Sequence, residues 1–181
     1  MTSPTRDATL LRVDASRAAL APASLDLRAF RSALSGFATG VTVVTALGHD
    51  GLPVGLTVSS FNSVSLEPPL VLWSLSANSP NLAVLAAATH FAVNVLAADQ
   101  EDVSHRFASR LEDKFDGVVW QSGLGGAPVL AGTCASFECA NVARYPGGDH
   151  LIFIGQVERF AQDDRRAPLI FQGGRYRRLL R

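Results

Sequence analysis

Long apolar runs are missing from this chain. No stretch approaches the roughly 20 consecutive apolar residues of a membrane-spanning helix. The N-terminus has no continuous apolar h-region, so no membrane span and no secretory signal are expected. Net charge is missing too. Sixteen basic residues balance 16 acidic ones, which leaves no electrostatic footprint for nucleic acid or an anionic membrane surface. Lysine is almost absent: Lys114 is the single one, and the arginine bias reads as genomic composition rather than function. Cysteine is limited to Cys134 and Cys139. Five residues apart on a strand, they point to opposite faces. That disfavours a disulfide or a shared metal and favours buried, reduced thiols in a cytoplasmic protein.

Several chemical signatures are absent as well. No GxGxxG follows a strand; Gly123 to Gly126 comes nearest, but no helical pattern follows it, which argues against a Rossmann site. There is no Walker A lysine motif, no HExxH, no CxxC pair and no GxSxG elbow. His49, His90, His105 and His150 have no ligand spacing between them, so a metal would need long-range assembly. No internal repeat is visible.

What is present fits a compact domain. The chain has 181 residues, 48% hydrophobic and 18% charged, enough for one self-standing core and unlike a disordered composition. Residues 1–25 are rich in Ala, Ser, Thr and Arg and read as a loose arm. Their Arg and Ser content is similar to a transit peptide, but Asp7 and Asp14 weigh against that. Residues 26–181 form the expected domain.

Asp26 is a candidate N-cap for a helix carrying Leu27, Phe30 and Leu34 and closed by Gly36. Val41–Ala46 is a strand by β-branched content, and Gly48–Gly51 is a hairpin loop into Leu52–Val58. Ser79-Pro80 reads as an N-cap with proline at the first helical position, ahead of Leu82, Leu85 and Ala86. His90–Leu96 is a strand. Asp99 and Asp102 favour a helix start, with Val103, Phe107 and Leu111 as its apolar stripe. Gly123–Gly126 is a flexible loop. Thr133–Val142 and His150–Phe160 are long strands joined across Pro146-Gly147-Gly148. Pro168–Phe171 is a short strand, and Gly173-Gly174 leads into a basic tail. The whole reads as mainly β, antiparallel, with peripheral helices and a closed or nearly closed barrel that hides strand edges.

The chain is organised around Gly55–Leu75, GLTVSSFNSVSLEPPLVLWSL. Apolar runs Leu52–Val58 and Leu70–Leu75 flank a centre of Thr57, Ser59, Ser60, Asn62, Ser63 and Ser65. Pro68 and Pro69 supply no ladder N–H. The pattern predicts strand, ordered polar crossing, strand. Gathered hydroxyls suit a phosphate or polyol chain; a purely structural loop with Ser/Thr turns is the other reading. His150 follows Gly147-Gly148-Asp149 at a strand mouth, where it could donate a hydrogen bond to a ligand or simply sit on the rim.

Three motifs in order, Phe37–Thr45 (FATGVTVVT), Gly55–Pro69 (GLTVSSFNSVSLEPP) and Gly148-Asp149-His150, resemble the short-chain NAD(P)H:flavin oxidoreductases that serve two-component monooxygenases. The resemblance runs from about Leu27 to Tyr176. It implies an FMN-binding split β-barrel, usually a homodimer, that uses NADH or NADPH to reduce FMN or FAD for a partner monooxygenase. It also implies site residues. Thr57, Val58, Ser59, Ser60 and Ser63 would line the ribityl and phosphate side of the flavin. Ser76, Asn78 and Ser79 would be a second phosphate-side contact, with Ser79 at a helix start suited to an anion. Val41 and Thr42 would border the flavin. Phe91, Phe107 and Ala108 would lie near it or at the dimer seam, though both phenylalanines also fit a plain core. His150 matches the histidine that positions the nicotinamide, and Tyr176 the C-terminal aromatic near the pocket. The implied chemistry is hydride transfer from nicotinamide C4 to flavin N5, with no nucleophile or triad. Two other classes share the expected barrel: an enzyme that keeps its flavin and oxidises its own substrate, and a non-catalytic flavin- or heme-binding module.

Overall fold

The computed structural model describes residues 25–179. Of the expected arm over residues 1–25, all but Leu25 lies outside the described residues. The elements run α1 (Leu27–Leu34), β1 (Thr39–Gly40), β2 (Thr42–Leu47), β3 (Pro53–Val58), β4 (Asn62–Leu66), β5 (Pro69–Ser76), α2 (Leu82–Ala87) and β6 (His90–Val95). Then come α3 (Glu101–Ala108), β7 (Trp120–Ser122), β8 (Pro128–Leu130), β9 (Ala135–Gly147), β10 (His150–Gln162), β11 (Ile170–Gln172) and β12 (Arg175–Arg177).

Seven strands form one antiparallel sheet in the order β3-β2-β6-β9-β10-β5-β4. Its two edge strands, β3 and β4, are consecutive in the chain. The Ser59–Phe61 link therefore carries the backbone from one edge of the sheet to the other, which curls the sheet into a barrel with a split between its edges. Ser60 fastens that crossing. Its hydroxyl donates to the Ser74 carbonyl at 3.1 Å and accepts from the Ser74 N–H at 3.0 Å. This is the mainly β split barrel that the sequence led us to expect.

The barrel interior follows from strand alternation. Along β5, Val71, Trp73 and Leu75 are buried while their neighbours are half-buried. Trp73 stacks on Phe153 at 4.3 Å and meets Phe91 edge-on at 5.6 Å. Gly155 makes room for this cluster, because a Cβ there would collide with Phe91 Cζ. A second apolar cluster, Val41, Val43, Leu96, Phe107, Leu130 and Leu169, lies under α3. Glutamate 138 is buried and useful: its carboxylate accepts from Leu124 N at 2.7 Å and pairs with Arg159 at 3.3 Å.

Several expectations need correction. The polar crossing is shorter than expected, because Asn62–Leu66 is strand β4. This edge strand is exposed along its length except at the half-buried Ser65, so its serines need no burial. Ser79 is not the N-cap of α2; the helix starts three residues later with Asn81 as its cap, and Ser79 opens a preceding turn that accepts from Leu82 N at 3.1 Å. Leu111 lies beyond the end of α3 and is 52% exposed. Gly123–Gly126 is not a loose loop but a 3-10 turn pinned by Glu138. The basic tail includes strand β12, paired to β11 and thereby to β1. α1 forms as expected, with Asp26 Oδ1 accepting from Arg28 N at 2.8 Å. Its apolar face is not covered, however: Leu27, Phe30 and Leu34 are all exposed. Among the described residues no helix is long and apolar enough to cross a membrane. Cys134 and Cys139 are unpaired and buried.

Candidate functional site

A cavity of about 1280 Å³ opens beside β3. Three segments wall it: the hairpin tip and strand from Asp50 to Thr57, the Ser79–Asn81 turn, and the end of α3 with the loop that follows, Phe107–Asp116. Its floor exists because residue 55 is glycine. A Cβ there would lie 2.6 Å from Phe107 Cε1 and 3.2 Å from Phe115 Cζ, so the two rings can press against the bare strand. Phe107 and Phe115 meet edge-on at 5.0 Å.

Polar groups surround this apolar floor. Thr57 Oγ1 donates to the Ser104 carbonyl of α3 at 2.7 Å, which fixes the rotamer and leaves the hydroxyl oxygen as an acceptor. Ser79 Oγ accepts from Asn81 N at 3.3 Å. Lys114 Nζ donates to the Phe107 carbonyl at 3.0 Å. Burial pushes its ammonium below the ordinary lysine range, because desolvation penalises the charged form. Asp50 and Asp113 also line the cavity, but each carboxylate accepts from its own loop backbone, at Leu52 N and at Phe115 N and Asp116 N.

The expected site residues fall into five places. Thr57, Ser79, Phe107 and Ala108 line the cavity. Ser76, Asn78 and His150 lie together at the neighbouring sheet end. There β10 pairs with β5 so that His150 stands opposite Ser76, and Ala77 N donates to the Asp149 carbonyl at 2.9 Å. Gly148, at φ +68°, makes the tight β9–β10 turn that brings His150 there. His150 Nδ1 lies 2.7 Å from Asp149 Oδ1. That hydrogen bond, aided by the histidine's charge, holds the Asp149 carboxyl below its usual range. Tyr176 stands beneath the cavity wall, its hydroxyl 2.8 Å from Ser104 Oγ and its ring edge-on to His105 at 5.1 Å.

The remaining residues do not face the cavity. Val41, Thr42, Val58 and Phe91 are buried in the barrel core, with Thr42 Oγ1 donating to the Val58 carbonyl at 3.1 Å. Ser60 holds the crossing, as described above. Ser59 and Ser63 are exposed beside it. The sequence reading missed Pro53–Leu56, Asn81 and most of the Ser109–Asp116 loop. The one signal available for that loop was its lysine, unique in the chain. Among the described residues, no group of three His, Cys, Asp or Glu side chains could hold a metal ion.

A model of the flavin reductase like domain matches residues 34–180. This chain belongs to that family. It is 48% identical over 160 residues to the FMN reductase (NADH) SmoA of Agrobacterium fabrum, covering 88% of this chain and 90% of that protein. It is 40% identical over 158 residues to HsaB of Rhodococcus jostii, the reductase subunit of a flavin-dependent monooxygenase, covering 87% and 80%. Its fold matches the Streptomyces globisporus NADH:FAD oxidoreductase SgcE6, solved with NAD and FAD fragments, at a TM-score of 0.82 and 44% identity, covering 86% of this chain and 93% of that one.

A flavin fits what this family member presents. The cavity exceeds the usual small-molecule range of about 300–1,000 Å³ and combines an aromatic floor with hydroxyls and one fixed cation.

Proposed function

We propose that this flavin reductase family member uses NADH to reduce FMN or FAD and releases the reduced flavin to a separate flavin-dependent monooxygenase. The observation that carries this reading is the match to an NADH-dependent FMN reductase at 48% identity across nearly the whole of both chains. A flavin in the site supplies N5 as the acceptor for the hydride of nicotinamide C4.

The chain's own residues bind and orient. Phe115, backed by the buried Phe107, gives the ring an apolar bed beside Gly55. Thr57 offers an acceptor to the ribityl hydroxyls. Ser79, with Ser76 and Asn78 beyond it, receives the phosphate side. His150, steadied by Asp149, positions the nicotinamide and is not required to transfer a proton. Ser60 and Thr42 serve by holding the crossing and the strand that carry these groups. Residues 26–181 constitute the working unit.

The protein acts in the cytoplasm, a setting supported by its two unpaired thiols. It works as a homodimer. Leu27, Phe30, Leu34 and Phe37 are 46–77% exposed on and beside α1, and exposed apolar patches of this kind favour association. Light scattering at micromolar concentration should return twice the chain mass, and a monomer would refute the dimer.

The reductase reading is tested with purified protein. It should oxidise NADH only when free FMN or FAD is supplied, and should leave gel filtration without stoichiometric flavin. Protein that retains flavin and ignores NADH would instead be an oxidoreductase with its own substrate.

A further inference from the structure

The segment from Ala77 through α2 is tied to the β9–β10 hairpin at both ends. At the front, Ala77 N donates to the Asp149 carbonyl at 2.9 Å. At the back, α2 ends against side chains of β9. Asn141 Nδ2 donates to the Leu85 and Ala88 carbonyls at 3.0 and 2.9 Å, and Arg144 Nη1 donates to the Ala86 carbonyl at 2.7 Å. Carbonyls in the last turn of a helix have no partner within the helix itself. α2 has six residues, too few to be stable in isolation. At its start Asn81 makes no side-chain cap bond among the described residues. The better-anchored end of α2 is therefore the one remote from the cavity.

Asn141 and Arg144 reach one helix because of a bulge. Three residues apart on a regular strand, their side chains would point to opposite faces. In the β9–β10 pairing Asn141 stands opposite Gly155 and Ala143 opposite Ile154, so Val142 is an extra residue. Bulges re-aim side chains, and this one turns both donors toward α2. Asn141 serves α2 at a cost. Its Oδ1 is buried without a hydrogen-bond partner among the described residues, while its amide nitrogen is given over to the helix. An apolar residue would avoid that cost but would release the end of α2.

We propose that Asn141 and Arg144 are positioning residues for the flavin phosphate, holding α2 so that the Ser79–Asn81 turn stands at the cavity wall. The inference rests on the reading that gives Ser79 the phosphate side, and it adds two residues that touch no ligand. α2 is about 9 Å long at about 1.5 Å per residue, so a tilt at its released end is carried to Ser79. Leu85, 1% exposed, keeps the helix packed on the barrel but does not by itself fix its angle.

The test compares the Kd of riboflavin with that of FMN, from quenching of flavin fluorescence. Wild type, Asn141→Ala, Arg144→Ala and Arg144→Lys are measured, and circular dichroism checks folding. The two flavins differ by the phosphate alone, so the ratio of their constants separates phosphate recognition from general loosening. The riboflavin-to-FMN ratio should fall about tenfold in Asn141→Ala and less in Arg144→Ala. It should recover in Arg144→Lys, which keeps a donor. Arg144 is exposed, so its variants carry the test if Asn141→Ala does not fold. An unchanged ratio in the folded variants, even with both constants raised together, would overturn the positioning role and leave the reductase reading standing. Wild type that binds both flavins equally would overturn the assignment of the turn to the phosphate, and the positioning role with it. Flavin-dependent NADH oxidation by wild type tests the reductase reading apart from either result.

Discussion

The hydroxyl of Tyr176 lies 2.8 Å from that of Ser104, and the carbonyl of the same serine accepts from Thr57 Oγ1 at 2.7 Å. One fully buried residue of α3 thus ties the C-terminal strand β12 to the cavity wall on β3. Removing the Tyr176 hydroxyl leaves a buried serine with one partner fewer. Tyr176→Phe should cost about 1 kcal/mol of stability in urea unfolding and weaken flavin binding a few-fold. Unchanged stability and unchanged binding would show that β12 and the cavity are independent.

Gly55 has no side chain because two rings occupy the space. A methyl at Gly55 would meet Phe107 at 2.6 and 2.8 Å, and Phe107 is fully buried with no room to retreat. Gly55→Ala should therefore destabilise by about 1–3 kcal/mol and raise the flavin Kd, since the floor itself must shift. Thermal unfolding and fluorescence titration measure both. A variant with wild-type flavin affinity would remove the phenylalanine floor from the account.

His150→Ala should raise the KM for NADH more than the KM for flavin, because the proposed role is to position the nicotinamide. Steady-state kinetics with each ligand varied in turn separates the two. Asp149→Asn should move the same constant in the same direction, as the carboxylate at 2.7 Å orients the imidazole. A larger effect on the flavin constant would place His150 on the wrong ligand.

Both thiols should be silent. Burial, with help from Glu158 and Glu138, pushes Cys139 up to about 12 from an ordinary 9.0, and burial raises Cys134 as well. Native protein at pH 8 should resist alkylation under conditions that label both cysteines after unfolding. A raised thiol pKa contributes stability that is fully present below pH 9 and is lost as pH climbs toward 12. Cys139→Ala should flatten that alkaline decline, and rapid labelling of the native protein would contradict the burial argument.

Much of this was legible in the residues. β2 announces itself by a β-branched run and α1 by Asp26 and its apolar spacing, and β6, β9 and β10 read as strands near their observed bounds. The Gly55–Pro69 motif and the His150 turn carried the family resemblance, with Phe37–Thr45. Other features have no local signal. β4 reads as a polar crossing because it is a short edge strand of Asn and Ser whose two apolar residues, Val64 and Leu66, stay exposed and mark no core face. β7 and β8 are three residues each, too short for periodicity to show. Phe91 and Phe107 look alike in sequence, yet one is locked against Trp73 and the other floors the cavity. That difference is set by Gly155 and Gly55, far away in the chain. The Ser109–Asp116 wall, which supplies much of the cavity lining, was hidden because Leu111 continues the apolar spacing of α3 although the helix ends at Ala108.

The most direct measurement is anaerobic turnover at the absorbance band of reduced nicotinamide, with FMN or FAD in large excess over protein. The account predicts one NADH consumed for each flavin reduced, continuing until the free flavin pool is exhausted. NADH oxidation that stops at one equivalent per protein chain, or that proceeds equally well without added flavin, would contradict it.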